Sequence, residues 1–387
     1  MIQIQNTIQQ KIQVHLEFPV CFTQDLFTHD NATFEQCVCN KEPDKQHKVI
    51  FFVDDSVSRK HPTLLKDIQA YCQDRDSIDL VTKPIVIPGG EPAKNDISFV
   101  ENIQQMIEKF KICRHSFVAV IGGGAVLDMV GFACATPHRG VRLIRIPTTV
   151  LSQNDAAMGV KNAVNAFNKK NFLGTFCAPY AVINDREFLK TLCFRDWISG
   201  ISEAIKVALI KDAEFFAFLK EHAIQLRERD IEAMEKLIFR CAELHLQHIR
   251  CSGDPFELGY SRPLDFGHWA AHKLESLSGY RIRHGEAVAA GIAIDSYYAY
   301  RQQMLSEQQL HDIHQLLSSL QFSLYYSQMH HSDFLNGLEE FREHLGGILC
   351  ITLPKNIGHK IEVNTIDNAI MYEAIDYLKE NFGESVT

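Results

Sequence analysis

The sequence lacks the features that define several large classes of protein. None of its apolar runs reaches the eighteen or so residues that a transmembrane helix needs, and residues 1–18 carry no apolar signal-peptide core. Basic residues are in the minority, with 39 Lys and Arg against 48 Asp and Glu, so a nucleic-acid-binding surface is not expected. We therefore expect a cytoplasmic protein that has neither a membrane nor a nucleic acid as partner.

Cysteine is present, but without a pattern that would build a structure. The eleven cysteines are odd in number, and the closest pair, Cys37 and Cys39, is spaced too tightly for half of a zinc ribbon. Reduced thiols are the simplest interpretation. Repeats and low-complexity tracts are also absent. With 46% hydrophobic residues, the chain should form ordinary globular domains, and its 387 residues favour two of them.

Strand-like and helix-like segments divide the chain near residue 188. Before that point, helix-like segments alternate with short apolar runs, the pattern of a parallel sheet covered by helices. The runs lie at 48–53, 84–88, 117–121 and 141–146, and residues 1–18 also alternate like a strand. After it, helix-forming residues dominate at 196–220, 231–249, 263–278, 287–304 and 306–320. We predict an α/β, Rossmann-like nucleotide-binding domain at 1–188 and a mostly α-helical domain at 189–387.

A glycine triplet follows one of the predicted strands. Gly122, Gly123 and Gly124 come directly after the apolar run 117–121 and precede a helix-like segment at 125–134. Glycines let a backbone approach a pyrophosphate, and a helix N-terminus offers N–H donors and the positive end of a dipole. The spacing is not G-x-G-x-x-G, so the triplet is compatible with either a phosphate cradle or a plain tight turn.

Three histidines and several carboxylates are concentrated between residues 254 and 286. His268 and His272 are four residues apart and would share one face of a helix, while His284 opens an HGE triplet after a Gly-Tyr turn. Imidazole and carboxylate groups suit zinc or cobalt. A single His-x3-His pair is more often structural, so the metal-site prediction depends on a second, independent motif.

Taken together, the motifs resemble those of the sugar phosphate cyclases, the family of 3-dehydroquinate synthase. In chain order they are PGGExxK ending at Lys94, GGGAVLD, HRG, IPTTVLSQNDAAMGVKNAVN, NKKNFLGTF, GISEAIKVALIKDAEFF and GH…H…HGE. The resemblance covers nearly the whole chain. It implies a dehydroquinate synthase-like enzyme that uses NAD and one divalent metal, zinc or cobalt, binds a sugar phosphate and forms a homodimer.

The resemblance also implies which residues carry the function. The metal ligands fall on Glu203, His268 and His284. The NAD contacts fall on Asp54, Glu91, Lys94, Gly123, Gly124, Asp128, Thr148 and Thr149. Catalytic roles fall on Asp155, Lys161, Lys206, Glu257 and His272. Substrate and phosphate contacts fall on Arg139, Lys161, Lys170, Asn171, Asp265 and His272, and Arg139 is expected to reach the site of a neighbouring subunit.

Two departures from the dehydroquinate synthase pattern bear on the substrate. That enzyme holds a substrate carboxylate with a lysine and an arginine, where this chain has Gln247 and Ser261. Each lost charge-assisted hydrogen bond is worth roughly 1.5 to 3 kcal/mol, so a carboxylate would be poorly held unless Arg262 takes the place of the arginine. The RPLDFGH and FREHLGG segments look like the cyclitol-forming branch, which closes sedoheptulose 7-phosphate into a valiolone-type cyclitol.

The reaction implied by the resemblance is redox-neutral. A ring hydroxyl is oxidised, phosphate is eliminated, the ketone is reduced again, and an aldol step closes the carbocycle. Three alternatives remain. The chain could be a 3-dehydroquinate synthase, a metal-dependent alcohol or glycerol dehydrogenase that shares the glycine turn, or a non-enzymatic NAD-binding descendant. The retained Glu203, His268 and His284 argue against the last of these.

Overall fold

The computed structural model describes residues 7–12, 14–167, 169–251, 256, 259, 262–344 and 346–383. The strands in this part of the chain are β1 Val20–Thr23, β2 His47–Asp54, β3 Ile78–Leu80, β4 Ile85–Ile87, β5 Phe117–Gly122, β6 Arg142–Pro147, β7 Lys161–Ala166, β8 Lys169–Phe176, β9 Ala181–Asp185, β10 Ile351–Pro354 and β11 Lys360–Val363. The α-helices are α1 Thr33–Cys39, α2 Asp55–Lys60, α3 Leu64–Gln73, α4 Ile97–Lys109, α5 Gly124–Ala135, α6 Phe194–Ser199, α7 Ile201–Lys211, α8 Ala213–Glu221, α9 Ala223–Arg227, α10 Ile231–Cys251, α11 His268–Leu277, α12 His284–Arg301, α13 Glu307–Ser319, α14 Gly337–His344 and α15 Asn368–Phe382.

A parallel sheet forms the centre of the N-terminal half. Its strands follow the order β1-β9-β6-β5-β2-β3, and β4 also pairs with β2. Strands β5 and β9 are buried along their whole length because helices and loops cover both faces of the sheet, which explains their continuous apolar runs. Separate apolar clusters pack on the two faces. The carboxyl ends of β2, β5 and β6 lie side by side, at the edge where parallel sheets bind ligands.

The C-terminal half is mostly helical and packs around α12. Residues on every side of α12 are buried, and its many Ala and Gly residues allow α11 and α7 to approach it closely. No helix in the described ranges is long and apolar enough to cross a membrane. The predicted class, an α/β nucleotide-binding half followed by a helical half, is therefore confirmed.

Several predicted boundaries differ from the structure for local reasons. The helix predicted at 196–220 is three helices, α6 to α8. It breaks at Gly200, where an added Cβ would lie 2.4 Å from the Leu151 nitrogen, and at Asp212, whose side chain accepts from the Phe215 N–H and caps α8. The strand predicted within residues 1–18 is wrong for the residues described there, since 7–12 and 14–18 form no strand. The predicted domain boundary falls inside the 3-10 helix Arg186–Thr191.

Two antiparallel hairpins, β7–β8 and β10–β11, were not predicted. The β7–β8 hairpin is attached to the sheet by Arg145, which is 1% exposed and lies on β6. Its guanidinium donates to the carbonyl oxygens of Ala157, Gly159 and Lys161 and to the Asn162 side chain. This buried arginine fixes where β7 begins, and therefore where the hairpin lies relative to the carboxyl edge of the sheet.

Candidate metal centre and nucleotide cradle

Glu203, His268 and His284 converge between α7, α11 and α12. The Nε2 atoms of His284 and His268 lie 3.3 and 3.7 Å from Oε1 of Glu203. The donor atoms of the three residues all lie within 4.8 Å of one another. Glu203 and His268 are buried, whereas His284 is partly exposed. Two imidazoles and a carboxylate at this spacing could supply three ligands to one metal ion.

The burial, ionisation and hydrogen bonding of the Glu203 carboxylate fit a cation at this position. Neither of its buried carboxylate oxygens accepts a well-directed hydrogen bond from any described residue, although the Lys206 ammonium lies in contact with it. Burial alone would raise the pKa of Glu203, but Lys206, His284 and His268 outweigh it and hold that pKa well below its ordinary value. An ionised, buried carboxylate facing two imidazole nitrogens is the donor set of a zinc or cobalt site.

The start of α11 fixes His268 in a suitable tautomer. Its Nδ1–H donates to the Phe266 carbonyl 3.1 Å away, so the Nε2 lone pair faces Glu203. Gly267 has a φ of +77°, and an added Cβ would lie 2.9 Å from the Ile292 nitrogen of α12. Asp295 of α12 accepts from the Gly267 N–H and from the Trp269 indole. These contacts hold the first turn of α11 against α12.

A third imidazole, His272, completes the histidine cluster. It lies one turn after His268, with ring centroids 5.6 Å from His268 and 6.2 Å from His284. His272, Glu275 and His284 form a second set of donor atoms within 4.8 Å of one another. His284 therefore belongs to both sets. Burial lowers the pKa of His284, but the neighbouring carboxylates of Glu203 and Glu275 outweigh it and raise that pKa to about 10.

The glycine triplet lies at the carboxyl end of β5 and opens α5, as predicted. No described side chain caps the N-terminus of α5, so its first N–H groups are free of a side-chain acceptor. Added Cβ atoms on Gly123 and Gly124 would lie 3.4 Å from Thr149 and 3.2 Å from Ala156. An uncapped helix start lined by glycines is an arrangement that can bind a pyrophosphate.

Polar residues predicted for the nucleotide surround this helix start. Lys94 is buried, donates to Asp128 at 2.8 Å and also contacts Asn171. Asp54 ends β2, and its Oδ1 caps α2 through the Ser56 N–H at 2.7 Å. Asp54 thus has the capping role that is common for an Asp at the end of a strand. Asp54 is also packed so tightly on Gly89 that a Cβ there would lie 2.2 Å from Oδ2.

The remaining predicted residues lie on several different elements. Glu91 accepts from Asn165 at 2.9 Å, the Thr148 N–H donates to the Gly122 carbonyl at 3.0 Å, and Thr149 bonds with Ser152. Lys161 begins β7 and is exposed, Asp265 is half-buried, and Arg139 is exposed with a φ of +63°. Glu257 and Ser261 lie outside the described residues.

Asp155 contacts a residue that the sequence reasoning missed. Nδ1 of His245, on α10, lies 2.8 Å from Oδ1 of Asp155. Burial raises the pKa of Asp155, but His245 and Lys206 outweigh this and lower it, so the carboxylate is ionised. Gln247 is exposed and stands about 200° around the helix from His245. The structure therefore places His245, rather than Gln247, against Asp155.

Two family models match most of the chain. Residues 84–199 match the family model "3-dehydroquinate synthase N-terminal", and residues 200–342 match "3-dehydroquinate synthase C-terminal". A 3-dehydroquinate synthase of Shewanella frigidimarina is 30% identical over 95% of this chain and 99% of its own length. Another, from Alkaliphilus metalliredigens, is 33% identical over 73% of this chain and 79% of its own.

Solved structures extend the comparison. ValA, a 2-epi-5-epi-valiolone synthase from Streptomyces hygroscopicus subsp. jinggangensis with NAD+ and Zn2+ bound, is 26% identical with a TM-score of 0.86, over 96% of this chain and 99% of ValA. A 2-deoxy-scyllo-inosose synthase with carbaglucose-6-phosphate, NAD+ and Co2+ has a TM-score of 0.76 at 22% identity, over 92% of this chain and 96% of that chain. The second likeness concerns the fold alone.

Proposed function

Because the chain belongs to the 3-dehydroquinate synthase family of sugar phosphate cyclases, we propose that it uses NAD and one divalent metal to cyclise sedoheptulose 7-phosphate. The products would be a valiolone-type cyclitol and phosphate. The observation that carries this proposal is the buried carboxylate of Glu203, ionised and faced by His268 and His284 beside an uncapped helix start. A site of this kind fits a metal and a dinucleotide together.

The cofactors would be held by residues already described. Glu203, His268 and His284 would bind zinc or cobalt, and the start of α5 with Lys94 and Asp128 would hold NAD. When bound, NAD supplies reversible hydride transfer, and the metal supplies Lewis-acid stabilisation of negative charge on a substrate oxygen. ValA, which shares the fold at 26% identity, is solved with both NAD+ and Zn2+.

The protein's own side chains would supply the remaining hydrogen bonds to the substrate. Burial lowers the pKa of Lys206, but Glu203 and Asp155 raise it more, so Lys206 stays protonated and donates hydrogen bonds. Asp155 is ionised and would accept from a substrate hydroxyl. Lys161 and Asn171, at the hairpin, would donate to the phosphate, which needs several charge-assisted donors as it leaves.

The choice of substrate depends on what would bind its first carbon. A carboxylate requires cations, whereas Gln247 is neutral and exposed and Ser261, neutral by sequence, lies outside the described residues. The likeness to a valiolone synthase supports a hydroxymethyl group at that position. The second candidate is 3-dehydroquinate synthase, favoured by relatives of that name that are 30 to 33% identical. In that case Arg262 would be the carboxylate ligand.

We also infer that the protein acts as a homodimer. Arg139 is exposed in a short turn whose residues His138 and Arg139 both have positive φ, and such strained turns persist where they have a function. Arg139 would donate to the phosphate in the neighbouring subunit's site. Sedimentation of the protein, together with turnover by Arg139→Ala, tests this inference. A fully active monomer would contradict it.

The test of the proposed function compares two substrates under one set of conditions. The protein is incubated with substoichiometric NAD, with Zn2+ or Co2+, and with either sedoheptulose 7-phosphate or the 3-deoxy-heptulosonate 7-phosphate used by dehydroquinate synthase. Phosphate release from the first with many turnovers per NAD supports the proposal. Efficient use of the second favours 3-dehydroquinate synthase. Steady accumulation of NADH in step with product would indicate a dehydrogenase, because net oxidation consumes NAD.

A further inference from the structure

Glu275 lies behind the metal centre and makes two well-formed contacts. It is seven residues after His268 on α11, so the two side chains occupy the same helix face two turns apart. Glu275 is 3% exposed. Its Oε2 accepts from Nδ1 of His284 at 3.2 Å, and its Oε1 accepts from the Lys170 ammonium at 2.8 Å.

The two carboxylates differ in the hydrogen bonds that they already accept, and this difference separates the roles of the two donor sets. His284 belongs both to the set with Glu203 and to the set with Glu275. Both oxygens of Glu275 already accept hydrogen bonds, whereas neither oxygen of Glu203 accepts a well-directed one from the described residues. A cation between His284 and Glu275 would have to replace the Nδ1–H of His284 at Oε2. Oε1 of Glu203 faces both imidazole Nε2 atoms, whereas the Lys206 ammonium contacts the other oxygen, Oε2. The Glu203 set is therefore the metal position, and the Glu275 set has another use.

We propose that Glu275, anchored by Lys170, is a positioning residue that fixes the ring plane and tautomer of His284. With the proton of His284 held on Nδ1 by Glu275, the Nε2 lone pair is directed at the position of the metal. A carboxylate behind a ligand histidine sets both its orientation and its basicity, and removing such a partner typically weakens metal binding by about 10- to 100-fold. This inference rests on the metal site of the proposed function.

Lys170 connects Glu275 to residues outside α11. It lies on β8, and its ammonium also stands 4.8 Å from the ring centroid of Tyr280, in the turn before α12. The next residue on β8, Asn171, contacts Lys94 beside the nucleotide cradle. The β7–β8 hairpin thus touches the nucleotide side and the metal side of the site at adjacent residues. Lys170 would then act through Glu275 rather than as a direct ligand of the substrate phosphate.

The experiment measures metal affinity rather than turnover. The full-length protein, its metal removed, is titrated with Zn2+ and with Co2+ in competition with a chromophoric chelator. We expect Glu275→Gln, which keeps one acceptor oxygen, to weaken binding by about 10-fold, and Glu275→Leu, which keeps none, by up to about 100-fold. Lys170→Met should give a smaller loss. Its matched control is Lys169→Met, the exposed neighbour on β8, which should bind metal like the wild type.

Two further measurements keep the outcome decisive. Thermal unfolding of the metal-free variants shows whether they fold, and the visible spectrum of the Co2+ forms reports a changed ligand geometry at His284. Wild-type affinity and spectrum in folded Glu275→Gln and Glu275→Leu would overturn the proposal. If the wild-type protein itself bound no metal at the Glu203 site, the proposed function would fail instead, so the two failures are distinguishable.

Discussion

Replacing Lys206 by Met should have opposite effects on the stability of the metal-free protein and on its affinity for metal. Lys206 and Glu203 form an ion pair inside the molecule, with side-chain exposures of 3% and 1%. Removing one partner of such a pair leaves a buried charge without compensation, which typically costs about 3 to 5 kcal/mol. Met has a similar length and fills the same space. The loss should therefore come from charge rather than from a cavity.

Metal binding should recover part of that loss. A divalent cation at the Glu203 site would compensate the carboxylate that Lys206 no longer faces, and it would also escape repulsion from the ammonium. By linkage, if the loss of unfolding free energy in the variant is about 1.4 kcal/mol smaller with metal than without it, the variant binds metal about tenfold more tightly than the wild type. We expect Lys206→Met to bind Zn2+ at least about tenfold more tightly than the wild type, yet to lose turnover because a hydrogen-bond donor has gone.

Urea unfolding in the presence of a chelator, and again in saturating Zn2+, gives the loss of unfolding free energy in Lys206→Met without and with metal. Direct titration gives the metal affinity independently. Lys211→Met is the control, because Lys211 ends the same helix eight residues after Glu203, about 12 Å along the helix axis. Its effect should be the same with and without metal. Equal deficits for Lys206→Met in both conditions, or unchanged stability without metal, would refute the reasoning.

Three further predictions concern other parts of the site. His284→Ala should lower metal content, measured by elemental analysis, and abolish turnover while the circular dichroism spectrum stays native; full metal content would remove His284 from the site. His245→Phe should reduce turnover without changing metal affinity, because it removes the contact with Asp155, whereas Gln247→Ala should leave both unchanged; equal losses would show that the helix face was misjudged. Burial raises the pKa of Asp295 to about 7, so the folded protein keeps a proton that the unfolded chain releases above about pH 4. The stabilising contribution of this group should therefore be full below that pH and be lost as the pH rises through 7. Asp295→Asn should abolish this fall in the free energy of unfolding, measured by urea unfolding across that pH range.

The metal centre could be predicted from sequence because its ligands are carried by short, regular motifs. The two histidines begin α11 and α12, and Glu203 is identified by the motif around it. Resemblance therefore named three residues that the structure brings together. The alternation of strands and helices was also sufficient for the fold, since buried parallel strands have continuous apolar runs. These signals are local, and each is readable within a few residues of chain.

The residues that sequence reasoning missed depend on contacts between distant segments. His245 and Asp155 are 90 residues apart, and nothing in the composition of α10 distinguishes His245 from the other histidine of the helix, His248. Arg145 is a charged residue within the predicted strand 141–146, and the structure buries it under the hairpin. The hairpin strand β8 has exposed side chains on both faces, so it lacks the alternation that identifies a strand.

The charges around the metal centre connect the proposed metal to the proposed substrate. Glu203 is paired with Lys206, and Glu275 is paired with Lys170, so these four buried or half-buried groups sum to no net charge. Asp155, ionised beside Lys206, adds one negative charge, so a divalent cation leaves an excess of one positive charge in a site with little water to screen it. A phosphate monoester carries about −1.5 to −2 at neutral pH and would offset that excess. Metal and phosphorylated substrate should then bind cooperatively, each raising the affinity of the other by the same factor. A neutral alcohol offers no such balance, and this charge argument, independent of any resemblance, favours a sugar phosphate over the substrate of a simple dehydrogenase.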